Sequence, residues 1–234
     1  GDASIHGGAT ELCDGLDSDC SSGGGAAAAE DADGDLHSPL GATCSGGFPR
    51  DDCDDADPLV YPGATLSPPR LMGPENGALT GSFRAAGTLR PLFRWAARGS
   101  CGAVLTHEIE IDGSCTTPGF ASCAFPSPES SATGLASPSH RPAGDLPVSV
   151  VAPVGRHYYW RVRSCDGAAC SAWSAVRYLD VGRVPSDVNG DGYADLVVGA
   201  RYQDAGATAE GNAFVYHGSA SGVPASPSAT LDNP

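Results

Sequence analysis

Apolar and polar residues alternate at period two in several parts of this chain. The stretches "PLFRWA" (91–96), "LTHEIEI" (105–111) and "YYWRVRS" (158–164) each place apolar or ring-bearing side chains at every second position. Strands with one buried face give this pattern. No stretch repeats apolar residues at helical spacing, and 32 Gly and 19 Pro disfavour helix interiors. We therefore expect a mainly β protein, with an antiparallel β-sandwich over residues 71–183.

Changes in composition divide the rest of the chain. Residues 1–64 are acidic, poor in apolar residues and rich in turn formers, so we expect a loop-rich segment. The prolines of residues 65–70 predict a stiff linker. Residues 184–234 contain two apolar stretches, "ADLVVGA" and "GNAFVYHG", separated by a polar loop. They predict a pair of strands.

The distribution of charge excludes one class of partner. The net charge is −15, and residues 1–63 carry 14 acidic residues against one arginine. Residues 64–185 carry 8 acidic residues and 11 arginines, and the chain has no lysine. A basic surface for nucleic acid is therefore not expected. No apolar run is long enough for a membrane span.

Nine cysteines in a loop-rich chain favour disulfides and an oxidising compartment. No pair has the C-x-x-C spacing typical of zinc ribbons. Pairing between sequence neighbours is the simplest hypothesis, and it leaves Cys101 as a structural thiol. The pairs are Cys13/Cys20, Cys44/Cys53, Cys115/Cys123 and Cys165/Cys170. We expect an extracellular or cell-surface protein whose export signal lies outside these residues.

Oxygen donors occupy alternate positions in "SDVNGDGYADLVVGA" (186–200). When Asp187 is counted as position one, the side chains at positions one, three, five and nine and the carbonyl at position seven can surround one ion. These candidate ligands are Asp187, Asn189, Asp191, Tyr193 and Asp195. Calcium takes six to eight hard oxygen donors, whereas zinc and copper prefer softer ligands. The spacing predicts a calcium loop; a solvated acidic turn is the alternative.

The residues after this loop distinguish it from an EF-hand. Position twelve is Val198 instead of Glu, and β-formers follow instead of a helix. "DVNGDGYADLVVGA" followed by "GNAFVYHGSASGV" resembles the FG-GAP repeat, the propeller blade of integrin alpha subunits and of many secreted bacterial proteins. The resemblance implies a partial β-propeller blade over 184–234. Because a propeller needs several four-stranded blades, further repeats of a parent protein are expected partners.

The first segment repeats this acidic spacing in another form. "DADGDL" (31–36) alternates aspartates, but His37 and Pro39 stand at positions seven and nine, so no local carboxylate closes the loop. We expect "DDCDDADP" (51–58) to complete the site across the fold. The candidate ligands of this segment are Asp14, Asp17, Asp19, Asp31, Asp33, Asp35, Asp52, Asp54, Asp55 and Asp57. An acidic, disordered arm is the alternative.

The order "D-x-D-G-D … C … D-C-D-D-x-D-P-x-x-Y-P-G-A" within residues 11–64 resembles the MopE-type metal-binding repeat of bacterial surface proteins. The resemblance implies a calcium-type site without catalytic chemistry. Carboxylates 4 Å apart repel by ~1 kcal/mol in water and ~4 kcal/mol at an effective dielectric constant of 20. We therefore expect structural calcium ions to order these loops.

The stretch "GRHYYWRVRSCDGAACSAWSAVRYLDV" (155–181) resembles the last two strands of a fibronectin type III domain. Another immunoglobulin-like sandwich is the alternative. Trp95, Trp160 and Trp173 are expected in the sandwich core, with a sugar-binding platform as the alternative. His107 lies on the apolar face of its strand and is expected to be hydrogen-bonded.

Catalytic motifs are not found in the sequence. "GSASG" (218–222) has Ala where a nucleophile elbow needs Ser, and "HEIEI" (107–111) lacks the second His of a zinc protease. We expect a non-enzymatic, calcium-binding module that serves adhesion or surface display, with an extracellular protein or glycan as partner. An accessory region of a secreted hydrolase is the alternative. A copper site in the first segment is disfavoured by its oxygen-rich donors.

Overall fold

The protein is described by a computed structural model that covers residues 3–21, 30–99, 101, 104–115, 123–167, 169–202 and 211–232. Within these ranges all regular secondary structure is β-strand, so the expected mainly β fold is confirmed. The described residues contain no helix that could cross a membrane. The strands form four sheets, and none of them closes into a barrel or a propeller within the described ranges.

Thirteen strands are found in the described residues. They are β1 Ser38–Pro39, β2 Arg50–Asp52, β3 Arg70–Gly73, β4 Ala78–Thr80, β5 Phe93–Ala96, β6 Thr106–Asp112, β7 Ser130–Leu135, β8 Ser139–His140, β9 Arg156–Cys165, β10 Arg177–Val181, β11 Leu196–Ala200, β12 Asn212–Tyr216 and β13 Ala229–Asp232.

Two sheets enclose the main core. One has the strand order β4-β10-β9-β6-β7 and the other β3-β5-β8. All neighbours are antiparallel except β4 and β10, which pair in parallel. Seven buried side chains between the sheets come from the alternating stretches, as predicted: Phe93, Trp95, Ile109, Ile111, Tyr158, Trp160 and Val162. Other parts of the chain add Leu71, Leu89, Leu146, Leu179 and Val181.

Trp173 lies outside this core, contrary to expectation. Arg161 and Arg163 project from the other face of β9, and their guanidinium carbons lie 4.4 and 4.6 Å from the centroid of the Trp173 ring. The same arginines pair with Glu110 and Glu108 of β6. Each cation–π contact at such a partly exposed site contributes about 0.5–1 kcal/mol. Trp173 therefore covers the polar face of the sheet instead of filling its core.

Asp112 supports the end of β6 from a fully buried position. Its Oδ1 accepts the Ser114 amide at 2.6 Å and its Oδ2 accepts the Ser127 amide at 3.0 Å. Burial alone would raise the pKa of Asp112, but these hydrogen bonds and the nearby Arg156 charge hold this pKa below 3.8. The carboxylate is therefore stabilised in the folded protein relative to the unfolded chain.

The lowered pKa of Asp112 predicts a pH dependence of stability. A carboxyl whose pKa is lower in the folded state contributes stability above its unfolded pKa, and this contribution is lost as pH falls through the folded pKa. We expect Asp112→Asn to reduce the free energy of unfolding at pH 7 by about 1–3 kcal/mol. Its loss of stability below pH 3.8 should be smaller than that of the wild type. Thermal melts across pH measure both effects; the exposed Asp145→Asn is the control, and equal profiles for both variants would contradict this role.

The first segment has little apolar core. Strands β1 and β2 pair in parallel, and its buried cluster consists of Cys13, Ala42 and Cys44 with Phe48 packed against it. Burial of so few apolar side chains contributes little free energy at about 25 cal/mol per Å². Covalent and ionic links must therefore hold this segment together.

The disulfide pairing differs in part from the neighbour-to-neighbour hypothesis. Cys115–Cys123 and Cys165–Cys170 are bonded as expected. The pairs Cys13/Cys20 and Cys44/Cys53 are wrong, because the bonds found are Cys13–Cys44 and Cys53–Cys101. A β-bridge between residues 13 and 47 brings the first of these bonds together. The exposed Cys20, and not Cys101, is the free thiol.

Strands β11 and β12 are the predicted pair in the third segment. A further strand, β13, extends this sheet on the far side of β12, where no strand was predicted. Leu196, Val197 and Val198 of the edge strand β11 are 47, 53 and 40% exposed. The sheet thus presents apolar side chains on both faces of an edge strand.

Candidate metal centres

The acidic loop of the first segment (31–37) is folded by its own side chains. Asp31 accepts the amides of Asp35 and Leu36 at 3.0 and 3.1 Å. Asp33 accepts the amide of Asp35, and Asp35 accepts the amide of His37. These hydrogen bonds wind the backbone into a tight turn around its own carboxylates.

The acidic loop of the third segment (187–195) has the same hydrogen bonds. Asp187 accepts the amides of Asp191 and Gly192 at 3.0 and 2.7 Å, and the side chains at positions three and five each accept the amide two residues further on. Positive φ angles recur at positions four and six, with 75° and 87° at Gly190 and Gly192. In the first segment the corresponding angles are 80° and 70°. Two loops with different closing residues therefore share one backbone arrangement.

Position six of the first-segment loop is Leu36, where the other loop has glycine. A side chain at positive φ is strained by roughly 1–2 kcal/mol. This leucine is exposed, so it gains little from packing. The strain is retained because the carboxylate of Asp31 holds the Leu36 amide in place.

The structure brings aspartates from across the fold close to the first-segment loop. Asp33, Asp35 and Asp52 form one group whose ligand oxygens lie within 4.8 Å of one another. Asp31, Asp33 and Asp55 form a second such group. The pairing of β1 with β2 positions Asp52 for this contact, and the Asp55 carboxylate also accepts the Ala32 amide at 2.8 Å.

The first of these groups fits a hard cation. One oxygen each of Asp33, Asp35 and Asp52 is buried without a hydrogen-bond partner, and Asp52 is only 1% exposed. Burial, together with the charges of neighbouring carboxylates, raises the pKa of Asp33 and of Asp52. An unsatisfied buried oxygen costs about 1–3 kcal/mol, and more when it is charged. A divalent cation among these oxygens would offset both the repulsion between the carboxylates and the cost of the unsatisfied oxygens.

Other predicted ligands of the first segment have different neighbours. Asp57 bonds to Arg98 at 2.6 Å, and Asp54 is exposed and lies outside both groups. The adjacent Asp51 bonds to His37 at 2.7 Å. The aspartates at positions 52 and 55 therefore belong to the two groups, whereas those at positions 54 and 57 do not.

A third group of carboxylates lies near the start of the chain. Glu11, Asp17 and Asp19 place ligand oxygens within 4.8 Å of one another, and Glu11 accepts the amides of Ser18 and Asp19. Asp14, also a predicted ligand, accepts the Leu16 amide and is not a member of this group.

Glu30 lies beside Glu11 of this third group. It is 2% exposed, and neither of its carboxylate oxygens has a hydrogen-bond partner. Burial and the neighbouring Glu11 raise the pKa of Glu30 to about 7. Sequence reasoning missed Glu11 and Glu30 because neither belongs to an alternating run. The one signal in the sequence was that they are the only glutamates before residue 75.

Asp195 closes the third-segment loop by hydrogen bonds. Its Oδ1 accepts the Gly218 amide at 2.7 Å, and its Oδ2 accepts two amides from the start of the loop. Burial alone would raise the pKa of Asp195, but these three hydrogen bonds lower it. Among the described carboxylates, Asp187, Asp191 and Asp195 do not form a group within 4.8 Å. Their hard oxygen donors suit calcium, and the carboxylate oxygens of Asp187 and Asp191 each accept one hydrogen bond and keep a second lone pair for an ion.

Two family models match parts of the chain. The Cu-binding MopE family, described as "Putative metal-binding motif", matches residues 1–24 and 52–66. The FG-GAP repeat matches residues 184–216. No curated protein matches the chain.

Comparison with solved structures gives weak similarities. The α-L-rhamnosidase from Dictyoglumus thermophilum is 12% identical with a TM-score of 0.34, and the match covers 65% of this chain and 16% of that one. The FN1–FN3 domains of chicken CNTN1 are 12% identical with a TM-score of 0.32, over 71% of this chain and 67% of that one. These scores are too low to support an argument. The family matches are specific, and they show that the chain carries a MopE-type metal-binding motif and an FG-GAP repeat.

Proposed function

We propose that this chain is a non-enzymatic, calcium-binding extracellular module of a larger surface or secreted protein. One observation carries the proposal: the carboxylates of Asp33, Asp35 and Asp52 form one group, and each has a buried oxygen without a hydrogen-bond partner. Buried charges persist in proteins when they are paired or coordinate a metal. The calcium ions would be structural and would order the acidic loops.

The donor set favours calcium over copper. The matched family is named for copper, which prefers imidazole and thiolate ligands. The group around Asp52 offers carboxylates; His37 is bonded to Asp51, and Cys53 is in a disulfide. Carboxylates of this kind suit an ion that takes six to eight oxygens at 2.3–2.6 Å.

An ion would act on the first segment by joining parts that are distant in sequence. It would link the loop 31–37 to β2 and replace the mutual repulsion of the carboxylates by attraction. At about tenfold excess of calcium over its dissociation constant, one site adds roughly 1.4 kcal/mol of stability. For a segment whose core is Cys13, Ala42, Cys44 and Phe48, this contribution is large.

The combination of modules supports the proposal of an extracellular, adhesive role. Disulfides, FG-GAP repeats and MopE-type motifs are features of extracellular proteins. The exposed apolar strand β11 favours contact with further repeats of a parent protein. We propose an extracellular protein or glycan as the ligand of the assembled protein.

Calorimetric titration of the full chain with calcium chloride tests this function. We expect more than one site, with dissociation constants of about 10⁻⁴–10⁻³ M as in other extracellular modules. Asp191→Ala should remove one site and leave the others, because it lies in the third-segment loop alone. The exposed Glu75→Ala is the control and should bind like the wild type. Binding of copper without any calcium heat, or unchanged stoichiometry in Asp191→Ala, would contradict the proposal.

A further inference from the structure

The acidic loop of the third segment is held by the β-sandwich through its backbone. Arg84 donates from its guanidinium to the carbonyl oxygen of Asp191 at 2.8 Å, and its guanidinium carbon lies 3.7 Å from the centroid of the Tyr193 ring. The Val154 amide of the sandwich donates to the carbonyl oxygen of Gly190 at 2.8 Å. Two separate connections of the sandwich, one with Arg84 and one with Val154, therefore contact the loop.

The glycines of the loop lie directly against the sandwich. A Cβ atom on Gly192 would lie 2.3 Å from the Phe83 ring, and one on Gly190 would lie 3.0 Å from Cα of Pro153. Phe83 itself packs against the sandwich core. These glycines thus have two roles: they allow the turn of the loop, and they allow the loop to pack closely against the sandwich.

The contacted residues coincide with the candidate ligands. Asp191 and Tyr193 stand at positions five and seven of the loop, and Gly190 lies between positions three and five. Arg84 is exposed, and it contacts the loop through one hydrogen bond and one ring. Small polar contacts between segments permit relative motion unless something else fixes them. A ligand that orders the loop will therefore also stabilise its docking on the sandwich.

We propose that the third-segment loop and the sandwich form a calcium-dependent joint; this inference rests on the calcium binding proposed above. An ion bound at positions one to nine fixes the carbonyls of Gly190 and Asp191 where Val154 and Arg84 can hold them. By thermodynamic reciprocity, docking of the loop increases its affinity for calcium by the same factor. The joint would set the orientation of the FG-GAP sheet relative to the sandwich.

Amide hydrogen exchange at Val154 reports the joint directly, because its acceptor is a carbonyl of the loop. In the wild type, calcium should slow exchange at Val154 about five- to tenfold, the lower end of typical couplings between sites. Asp191→Ala should abolish this effect. Arg84→Ala should weaken calcium binding at the third-segment site by a similar factor and leave the first-segment sites unchanged.

Arg90→Ala is the matched control. Arg90 belongs to the same connection of the sandwich, but its guanidinium donates to the Ala143 carbonyl and lies near Asp145. This variant should change neither Val154 exchange nor calcium affinity. Equal effects of Arg84→Ala and Arg90→Ala would overturn the joint, since they would reflect the loss of a positive charge and not the loss of a specific contact with the loop.

Two outcomes separate the joint from the proposed function. If an Asp191-dependent calcium site exists but neither Val154 exchange nor the Arg84 variant responds, the joint is wrong and calcium binding stands. If no Asp191-dependent site exists, the calcium assignment of this loop fails, and the joint fails with it.

Discussion

Replacing Asp52 by Asn is expected to weaken calcium binding at the first-segment loop at least about a hundredfold. Asp52 is 1% exposed, one of its oxygens has no hydrogen-bond partner, and its carboxylate is grouped with those of Asp33 and Asp35. A unit charge 4 Å from another contributes about 4 kcal/mol at an effective dielectric constant of 20, and 1.4 kcal/mol corresponds to tenfold in affinity. Calorimetric titration of the full chain measures this loss.

The neighbouring Asp51→Asn is the matched control. Asp51 carries the same charge but bonds to His37 and lies outside both groups of carboxylates. Its affinity for calcium should stay within about threefold of the wild type. Equal losses in the two variants would indicate a general electrostatic effect and would contradict a direct role for Asp52.

The effect of Asp52→Asn on stability should also change sign when calcium is added. Burial and neighbouring charges raise the pKa of Asp52, so its carboxylate is unfavourable without an ion. In a chelator, Asp52→Asn should be as stable as the wild type or more stable; in saturating calcium it should be less stable. Thermal melts in both conditions test this reversal, and destabilisation in both would point to a purely structural role for the side chain.

Removing the Cys53–Cys101 disulfide is expected to have the largest effect on stability. The bond joins residues 48 apart and ties the first segment to the sandwich. Loop-closure entropy assigns it about 4 kcal/mol. In Cys53→Ser/Cys101→Ser, the Arg98–Asp57 ion pair is one remaining link between these parts. We expect the first segment to unfold at a lower temperature than the sandwich, as a separate calorimetric transition.

Removal of the Cys165–Cys170 disulfide is the comparison for this variant. It closes a hairpin between residues 5 apart, and loop-closure entropy assigns it only about 2 kcal/mol. Its loss should lower the sandwich transition without separating the first segment. Because Cys53 follows Asp52 directly, the Cys53/Cys101 variant should also bind calcium more weakly at that site. A single, equally shifted transition in both variants would contradict the anchoring role.

Features set by short-range geometry were predictable from the sequence alone. The faces of β6 and β9 follow from alternation, because successive side chains of a strand point to opposite sides. The hydrogen bonds that the first aspartate of each acidic loop accepts join residues at most five apart, from Asp31 to Leu36 and from Asp187 to Gly192. Aspartate and glycine at these spacings therefore determine the loops wherever they occur.

Only the tertiary structure decided which distant groups meet. Asp52 completes the first loop because β2 pairs with β1, and Glu30 lies beside Glu11. The partner of Cys53 is likewise 48 residues away. The docking of the third loop on Arg84 joins residues 107 apart. The physical reason is that local spacing constrains only a few backbone angles, whereas such contacts depend on the path of the whole chain and on the burial it achieves.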